Sequence, residues 1–305
     1  MNKEIIAAIE QVIPKENILT DEPMSRHTTF KCGGPASLFL RPRNVAEVID
    51  IINILKANEE EYFVLGNGSN LLVSDKGYDG TVISMGYFDD IHIEDEVQIC
   101  AEGGAMNSAI AAMARDNSLT GFEFAAGIPG TIGGAMTMNA GAYGGEMKDI
   151  VKEVILLSSD GEIETYSGQD MEFDYRDSFI KGKEYVVLFV VLELQKGDKE
   201  EITAKMQELA LKRKEKQPLE YPSAGSTFKR PEGNFAGKLI EDAGLKGYSI
   251  GGAMVSEKHC GFVVNNGNAT AADVYNLICD VKDKVLENFG VTLEPEVILL
   301  GDFEE

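Results

Sequence analysis

Two glycine-dense segments constrain this chain most: Gly66-Asn67-Gly68-Ser69-Asn70 and Ala126-Gly127-Ile128-Pro129-Gly130-Thr131-Ile132-Gly133-Gly134-Ala135, each beside apolar runs that read as strands. Glycine costs backbone entropy wherever it stands, so clusters of it mark places where main chain must approach something closely. Successive N–H groups in such turns form concave anion sites of the kind that hold a pyrophosphate. Two such loops point to a dinucleotide gripped from both sides. The first loop has Leu71 where a nucleotide-fold fingerprint needs its third glycine, and Leu71-Leu72-Val73 after it reads as strand. A Rossmann reading therefore fails its own structural test. Gly-Asn-Gly alone is also a common hairpin turn. The second loop is stiffened by Pro129 and followed closely by Asn139-Ala140-Gly141-Ala142-Tyr143-Gly144, which favours a ligand cradle over a plain turn.

A length of 305 residues exceeds what one hydrophobic core organises, so two or three domains are expected. The net charge of −23 weighs against nucleic-acid or membrane-surface partners. It also requires that an anionic ligand be met by local basic groups and main-chain amides. Met1 to Leu19 mixes Lys3, Glu4, Glu10, Lys15 and Glu16 with apolar residues and reads as an amphipathic helix, not a signal peptide. The longest apolar run, Val186 to Leu192, falls far short of the ~20 residues that span a bilayer. A cytoplasmic protein without membrane insertion is expected. The four cysteines (Cys32, Cys100, Cys260, Cys279) lack paired spacing and read as buried free thiols. The three histidines share no helical face, so no metal centre is expected.

Asn44 caps a helical pattern from Val45 to about Ala57, and Tyr62 to Leu65 reads as a strand leading into the first loop. Ala105 to Arg115 is an alanine-rich helix. Val151 to Leu157 and Glu162 to Tyr166 flank Asp160-Gly161, a hairpin signal. Tyr185 to Leu194 is a long buried strand. Asp198 to Lys216 is a charged helix stopped by Pro218, the best domain boundary in the chain. Thr270 with Asp273 caps a final helix through Phe289, and Glu296 to Leu300 is the last strand.

Six ordered motifs carry a resemblance over almost the whole chain, from His27-Thr28-Thr29-Phe30 onward. They are Gly66 to Leu72, Ala126 to Ala135, Asn139-Ala140-Gly141-Ala142, Tyr175-Arg176-x-Ser178, Ala224-Gly225-Ser226-x-Phe228-Lys229 and Leu293-Glu294-Pro295-Glu296-Val297. In these the chain resembles the UDP-N-acetylenolpyruvoylglucosamine reductases of peptidoglycan synthesis. The compact length after Arg176, with no insertion for a tyrosine-bearing lid, is similar to the shorter, second type. The resemblance implies an α+β protein: a two-lobed FAD-binding domain of the PCMH (vanillyl-alcohol-oxidase-like) type, then a C-terminal α+β substrate-binding domain. Its bounds are an N-terminal helix over 1–20, the FAD domain over 21–200 with lobes near 21–85 and 86–200, the substrate domain over 201–291, and a C-terminal strand over 292–305 returning to the FAD domain.

The same resemblance implies non-covalent FAD held by Gly66, Asn67, Gly68, Ser69, Asn70, Gly127, Ile128, Pro129, Gly130, Thr131, Gly133, Gly134, Asn139, Gly141 and Ala142, with NADPH as hydride donor to a UDP-sugar substrate. Reducing an enolpyruvyl ether leaves carbanion character beside a carboxylate, which needs a pre-placed positive partner. Arg176, planar and always charged, suits that role. Ser226 can surrender its proton because the carbanion is a far stronger base. Glu296 steadies the enol intermediate as a protonated acid. Each has a plainer rival: Arg176 pairing with Asp174 and Asp177, Ser226 as a turn residue, Glu296 as a solvated strand end. Tyr175, Lys229, Arg230 and His259 are candidate substrate contacts, with a core aromatic, a solvated basic pair and, for His259, a packing residue or NADPH contact as alternatives; Arg230 stands where some relatives carry asparagine. Two other functions stay open. One is a carbohydrate or alcohol oxidase on the same scaffold, tethering flavin through His27 or Cys32. The other is a flavin or sugar-nucleotide sensor without turnover.

Overall fold

Asn44 starts the helix Val45–Ala57 by accepting the Glu47 N–H at 3.0 Å, and Val48, Ile51, Ile52 and Leu55 form its buried face. The computed structural model describes residues 3–303. The chain divides into two units. The first gathers Met1–Leu19, Phe39–Asn67 and Thr81–Arg213; the second gathers Thr20–Leu38, Gly68–Gly80 and Lys214–Glu305. The chain passes between them within the strands Ile18–Pro23, Pro35–Leu40 and Tyr78–Ser84, after Asn67 in the first glycine loop, and after Arg213 in the helix Lys199–Lys216.

In the first unit, Tyr62–Leu65 pairs in parallel with Tyr78–Ser84, from Tyr62 opposite Thr81 to Leu65 opposite Ser84. A five-stranded antiparallel sheet follows, in the order Ile163–Ser167, Val151–Leu157, Val186–Glu193, Gln98–Glu102, Ile91–Asp95. The expected hairpin is present: Ser158 N–H reaches Glu162 carbonyl at 2.9 Å, and Gly161 takes φ +83. Val154, Leu156, Val190 and Leu192 pack with Ile110 of the helix Asn107–Asp116 and Met136 of the helix Ile132–Thr137. Burying each such side chain contributes roughly 1.5–3 kcal/mol.

The second unit has a three-stranded antiparallel sheet, Ser249–Ile250, Ala253–Val255 and Val263–Asn265. Against it lies the helix Ala271–Phe289, opened by the Thr270/Asp273 capping box and ended by Gly290 at φ +67. Its Val274, Leu277, Ile278, Val281 and Val285 form the core face with Leu239 and Ile240 of the helix Ala236–Asp242. Ile298–Leu300 pairs in parallel with Leu71–Val73.

Three local expectations shift. Within Met1 to Leu19, the helix occupies Lys3–Ile9 (Met1 and Asn2 lie outside the described residues). Pro14 cannot donate to a continuing helix, a 3-10 turn covers Lys15–Asn17, and Ile18 already begins a strand. The second glycine segment is not loop throughout: Thr131 accepts the Gly134 N–H and starts the helix Ile132–Thr137. The alanine-rich helix begins at Asn107, because the Asn107 N–H is spent on the Gly130 carbonyl.

Candidate active site

In the first unit the two glycine loops meet. A side chain on Gly66 would put its Cβ 2.4 Å from Thr131 Oγ1, so only glycine fits. Asn67 donates from Nδ2 to the Pro129 carbonyl at 2.5 Å. Gly127, Pro129 and Gly134 are exposed while Thr131 and Ile132 are buried, so the loop shows main chain outward on an apolar root. The Gly133 N–H is spent on the Gly103 carbonyl at 2.9 Å, and Ile128 lies half-buried against the core. Gly141 and Ala142 pair with Gly145 and Glu146 in a short hairpin. The Asn139 carboxamide is committed inside the chain: Nδ2 donates to Glu146 Oε2 and to the Asp174 carbonyl, both at 3.0 Å, and Oδ1 accepts the Lys148 N–H.

Arg176 sits in a two-residue turn between Asp174 and Asp177, at φ +55, where a non-glycine residue is strained. Its guanidinium donates to the Gly141 carbonyl at 3.3 Å and lies 5.4 Å from the ring centre of Tyr175, which is exposed. The chain thus brings Tyr175, Arg176 and the Gly141 hairpin together.

Arg213 joins this set, and sequence reasoning passed over it. A Cβ on Gly127 would lie 3.0 Å from an Arg213 terminal nitrogen, so the guanidinium packs on the second glycine loop. Its Nε is buried with no hydrogen-bond partner, and burial penalises its charge. Tyr143, exposed at φ +53, is near enough for its phenol to bear on that charge. The signal was in the helix Lys199–Lys216: Arg213 stands one turn past buried Leu209, where the apolar face would continue.

In the second unit, the segments that carry Ser226 and Glu296 are joined by a short antiparallel ladder. Glu296 N–H donates to the Thr227 carbonyl at 2.8 Å, Phe228 bridges Pro295, and Lys229 N–H donates to the Glu294 carbonyl at 2.9 Å. Thr227 is wholly buried; its N–H goes to the Gly261 carbonyl and its Oγ1 accepts the Val263 N–H, both at 2.8 Å. Ser226 beside it is exposed, next to Gly225, whose Cβ position is open space. Asn70 holds the other side of Glu296, donating from Nδ2 to its carbonyl at 2.9 Å and accepting the Ile298 N–H at 2.9 Å. Gly68, at φ +58, has no room for a Cβ against the His27 carbonyl, and Ser69 is half-buried beside it.

Lys229 pairs with Glu294, and the Arg230 guanidinium stacks 3.9 Å from the Phe235 ring centre. His259 accepts the Gly261 N–H on Nδ1 at 3.1 Å and meets Phe262 edge-on, and burial pushes its pKa below the ordinary value. Nδ1 being the acceptor, the neutral ring carries its proton on Nε2. Of the two residues weighed as flavin tethers, His27 contacts Glu22 at 2.9 Å, and the Cys32 thiol is buried and pushed up to about 12 by burial and by Asp75 and Asp273. Such a thiol is not a nucleophile near neutral pH.

The side-chain-free loops and a half-buried guanidinium whose buried Nε has no partner form a donor set suited to a pyrophosphate-bearing cofactor. The description "FAD binding domain" matches residues 36–167, and with this frame it defines an FAD-dependent oxidoreductase of α+β, PCMH-type architecture. Beyond the charged helix, residues 217–300 match "UDP-N-acetylenolpyruvoylglucosamine reductase, C-terminal domain". The reductase of that name from Caldanaerobacter subterraneus subsp. tengcongensis is 51% identical over 302 residues, covering 99% of this chain and 100% of its own. The one from Agathobacter rectalis is 50% identical over 315 residues, with 99% and 100% covered. The crystal structure of the Thermus caldophilus enzyme superposes with a TM-score of 0.79 at 35% identity, over 93% of this chain and 98% of that one. The chain belongs to the UDP-N-acetylenolpyruvoylglucosamine reductase family. It is an FAD-containing enzyme that reduces a UDP-sugar enolpyruvyl ether in peptidoglycan precursor synthesis. No helix among the described residues is long and apolar enough to cross a membrane.

Proposed function

We propose that Arg176, Ser226 and Glu296 carry the substrate half of the NADPH-dependent reduction that yields UDP-N-acetylmuramate. Bound FAD supplies the two-electron relay from NADPH to the enolpyruvyl double bond. Gly66 to Asn70, Gly127 to Thr131, Gly134, Gly141 and Ala142 hold it, in the part of the chain spanning 21–200, while Gly133 and Asn139 shape that cradle with polar groups spent inside the chain. The substrate is held by 201–291, with Lys229, Arg230 and His259 as contacts there and Tyr175 from the preceding part.

The residue chemistry follows from the charge that develops. Hydride added at the terminal alkene carbon leaves an electron pair on the carbon beside the carboxylate. Arg176 meets that carboxylate with a fixed planar charge as the pair delocalises into it, an interaction worth several kcal/mol when the donor is pre-placed. Ser226 Oγ then gives its proton to the carbon, a new C–H bond replacing O–H, and the serine recovers a proton from solvent. Glu296 steadies the enol form that precedes this transfer. The observation that supports the reading is the Thr227–Glu296 ladder, which joins the segment of an exposed serine to that of a main-chain-anchored glutamate. A UDP-sugar substrate and an NADPH donor are both cytoplasmic metabolites, which supports a cytoplasmic reaction.

The test follows absorbance at 340 nm with NADPH and UDP-N-acetylenolpyruvoylglucosamine under anaerobic conditions. One NADPH consumed per UDP-N-acetylmuramate formed is expected. Flavin that turns over only with oxygen and a sugar alcohol would indicate an oxidase, and bound flavin without turnover a sensor.

A further inference from the structure

Nothing in the turn's own backbone selects a left-handed arginine. Two main-chain bonds close it, Asp174 N–H to the Asp177 carbonyl at 3.1 Å and Asp177 N–H to the Asp174 carbonyl at 3.2 Å. Glycine or asparagine is the ordinary occupant of such a left-handed position. Arg176 keeps φ +55 because side chains outside the turn over-determine it. Lys181 donates from Nζ to the carbonyl of Arg176 itself at 2.7 Å, with Asp177 Oδ1 3.7 Å away. Asn139, buried and itself at φ +39, donates from Nδ2 to the Asp174 carbonyl at 3.0 Å. Its second N–H goes to Glu146, whose carboxyl is held below the usual range first by Lys148 and also by Arg176. Glu146 pairs with Gly141, and the Gly141 carbonyl receives the Arg176 guanidinium. Backbone and side chain of Arg176 are thus gripped by one connected set of groups.

We infer that Lys181 and Asn139 are positioning residues for Arg176: Lys181 pins the strained carbonyl, and Asn139 ties the turn's entry to the hairpin that receives the guanidinium. This rests on Arg176 being the partner of the substrate carboxylate. Neither residue touches substrate: Lys181 acts only through the geometry of that arginine, and Asn139 through it and through the cofactor cradle whose hairpin it ties. The plainer reading of Lys181, a surface ion pair with Asp177, assigns it almost no energy. It also leaves the shorter contact to the Arg176 carbonyl without a purpose.

The experiment uses flavin-loaded Lys181→Met, Lys181→Arg, Asn139→Asp, Arg176→Ala and the Arg176→Ala/Lys181→Met double variant. Asn139→Asp keeps the acceptor for Lys148 and removes the donors. Anaerobic stopped-flow mixing follows flavin reduction by NADPH and reoxidation by the enolpyruvyl sugar separately. Hydrogen exchange is read at the amides of Asp174 and Asp177. Lys181→Met is expected to slow reoxidation about tenfold, the size of one lost charge-assisted hydrogen bond, while NADPH reduction changes less than about twofold. Lys181→Arg restores most of it. In the Arg176→Ala background Lys181→Met adds nothing, because the residue it serves is gone. Exchange at the two turn amides rises about tenfold in Lys181→Met and Asn139→Asp. Equal slowing by Lys181→Met in both backgrounds, or unchanged turn exchange, overturns the inference. If Arg176→Ala itself leaves reoxidation intact, the reading of Arg176 fails, and the exchange data still decide whether Lys181 and Asn139 hold the turn.

Discussion

Arg176 and Glu296 are assigned to the same charge-stabilising step, so their losses should not add. Arg176→Ala and Glu296→Ala are each expected to slow substrate-driven flavin reoxidation by roughly two to four orders of magnitude, and the double variant by much less than the product. Stopped-flow rates of the two singles and the double check this, and a fully multiplicative double would separate their roles. His259 gives a prediction of another kind. Burial lowers its pKa in the folded chain, so below the unfolded value of about 6.5 the unfolded state takes up a proton that the native state refuses. Its influence is neutral above that pH, lowers stability as pH falls through it, and levels off below the folded pKa. His259→Gln, which retains an acceptor for the Gly261 N–H, should therefore flatten the decline of the unfolding midpoint between about pH 7 and pH 5. Identical slopes for variant and parent would contradict the burial argument. The residue types of the proposed chemistry were legible from motifs. Arg213 was legible only in part: its place one turn past Leu209 puts it on the apolar face of its helix, but no local pattern tells that this face lies against Gly127.

At the scale of elements, the two glycine loops act as one device in the first unit through Gly66 and Thr131. Gly66→Ala, which would press a methyl group against Thr131 Oγ1, is expected to fold yet bind FAD at least about tenfold more weakly, as a fluorescence titration of flavin into the flavin-free protein would report. Unchanged affinity would show that the contact between the loops does not shape the cradle. Local punctuation made most elements readable beforehand. Asn44, the Asp160-Gly161 turn and the Thr270/Asp273 box act through neighbours a few residues away, which a sequence displays directly. Readability fails where an element depends on distant chain. Asn107 begins its helix because Gly130 takes its N–H, and Glu296 is fixed through Thr227 and Asn70, contacts no local pattern encodes.

At the scale of the molecule, the second unit is assembled from three separate stretches of chain. Length led to an expectation of two or three domains, and the charged helix before Pro218 was read as a boundary; no linear pattern announces that 20–38 and 68–80 join the C-terminal residues. The stretch 20–38 carries His27 and Cys32. The imidazole is engaged by Glu22 through Nε2, and the thiol is buried with its pKa pushed up to about 12, both of which weigh against a covalent tether. Acid precipitation of the holoenzyme is accordingly expected to release all yellow colour to the supernatant, and colour in the pellet would revive the oxidase reading. The central claim, that a serine hydroxyl delivers the proton which completes reduction of the enolpyruvyl ether, is tested most directly by single-turnover kinetics of Ser226→Ala. Its reduced form, mixed anaerobically with UDP-N-acetylenolpyruvoylglucosamine, should reoxidise at least about a hundredfold more slowly than the parent, with NADPH-driven reduction unchanged within about twofold. Equal slowing of both half-reactions, or reoxidation at the parent rate, would contradict it.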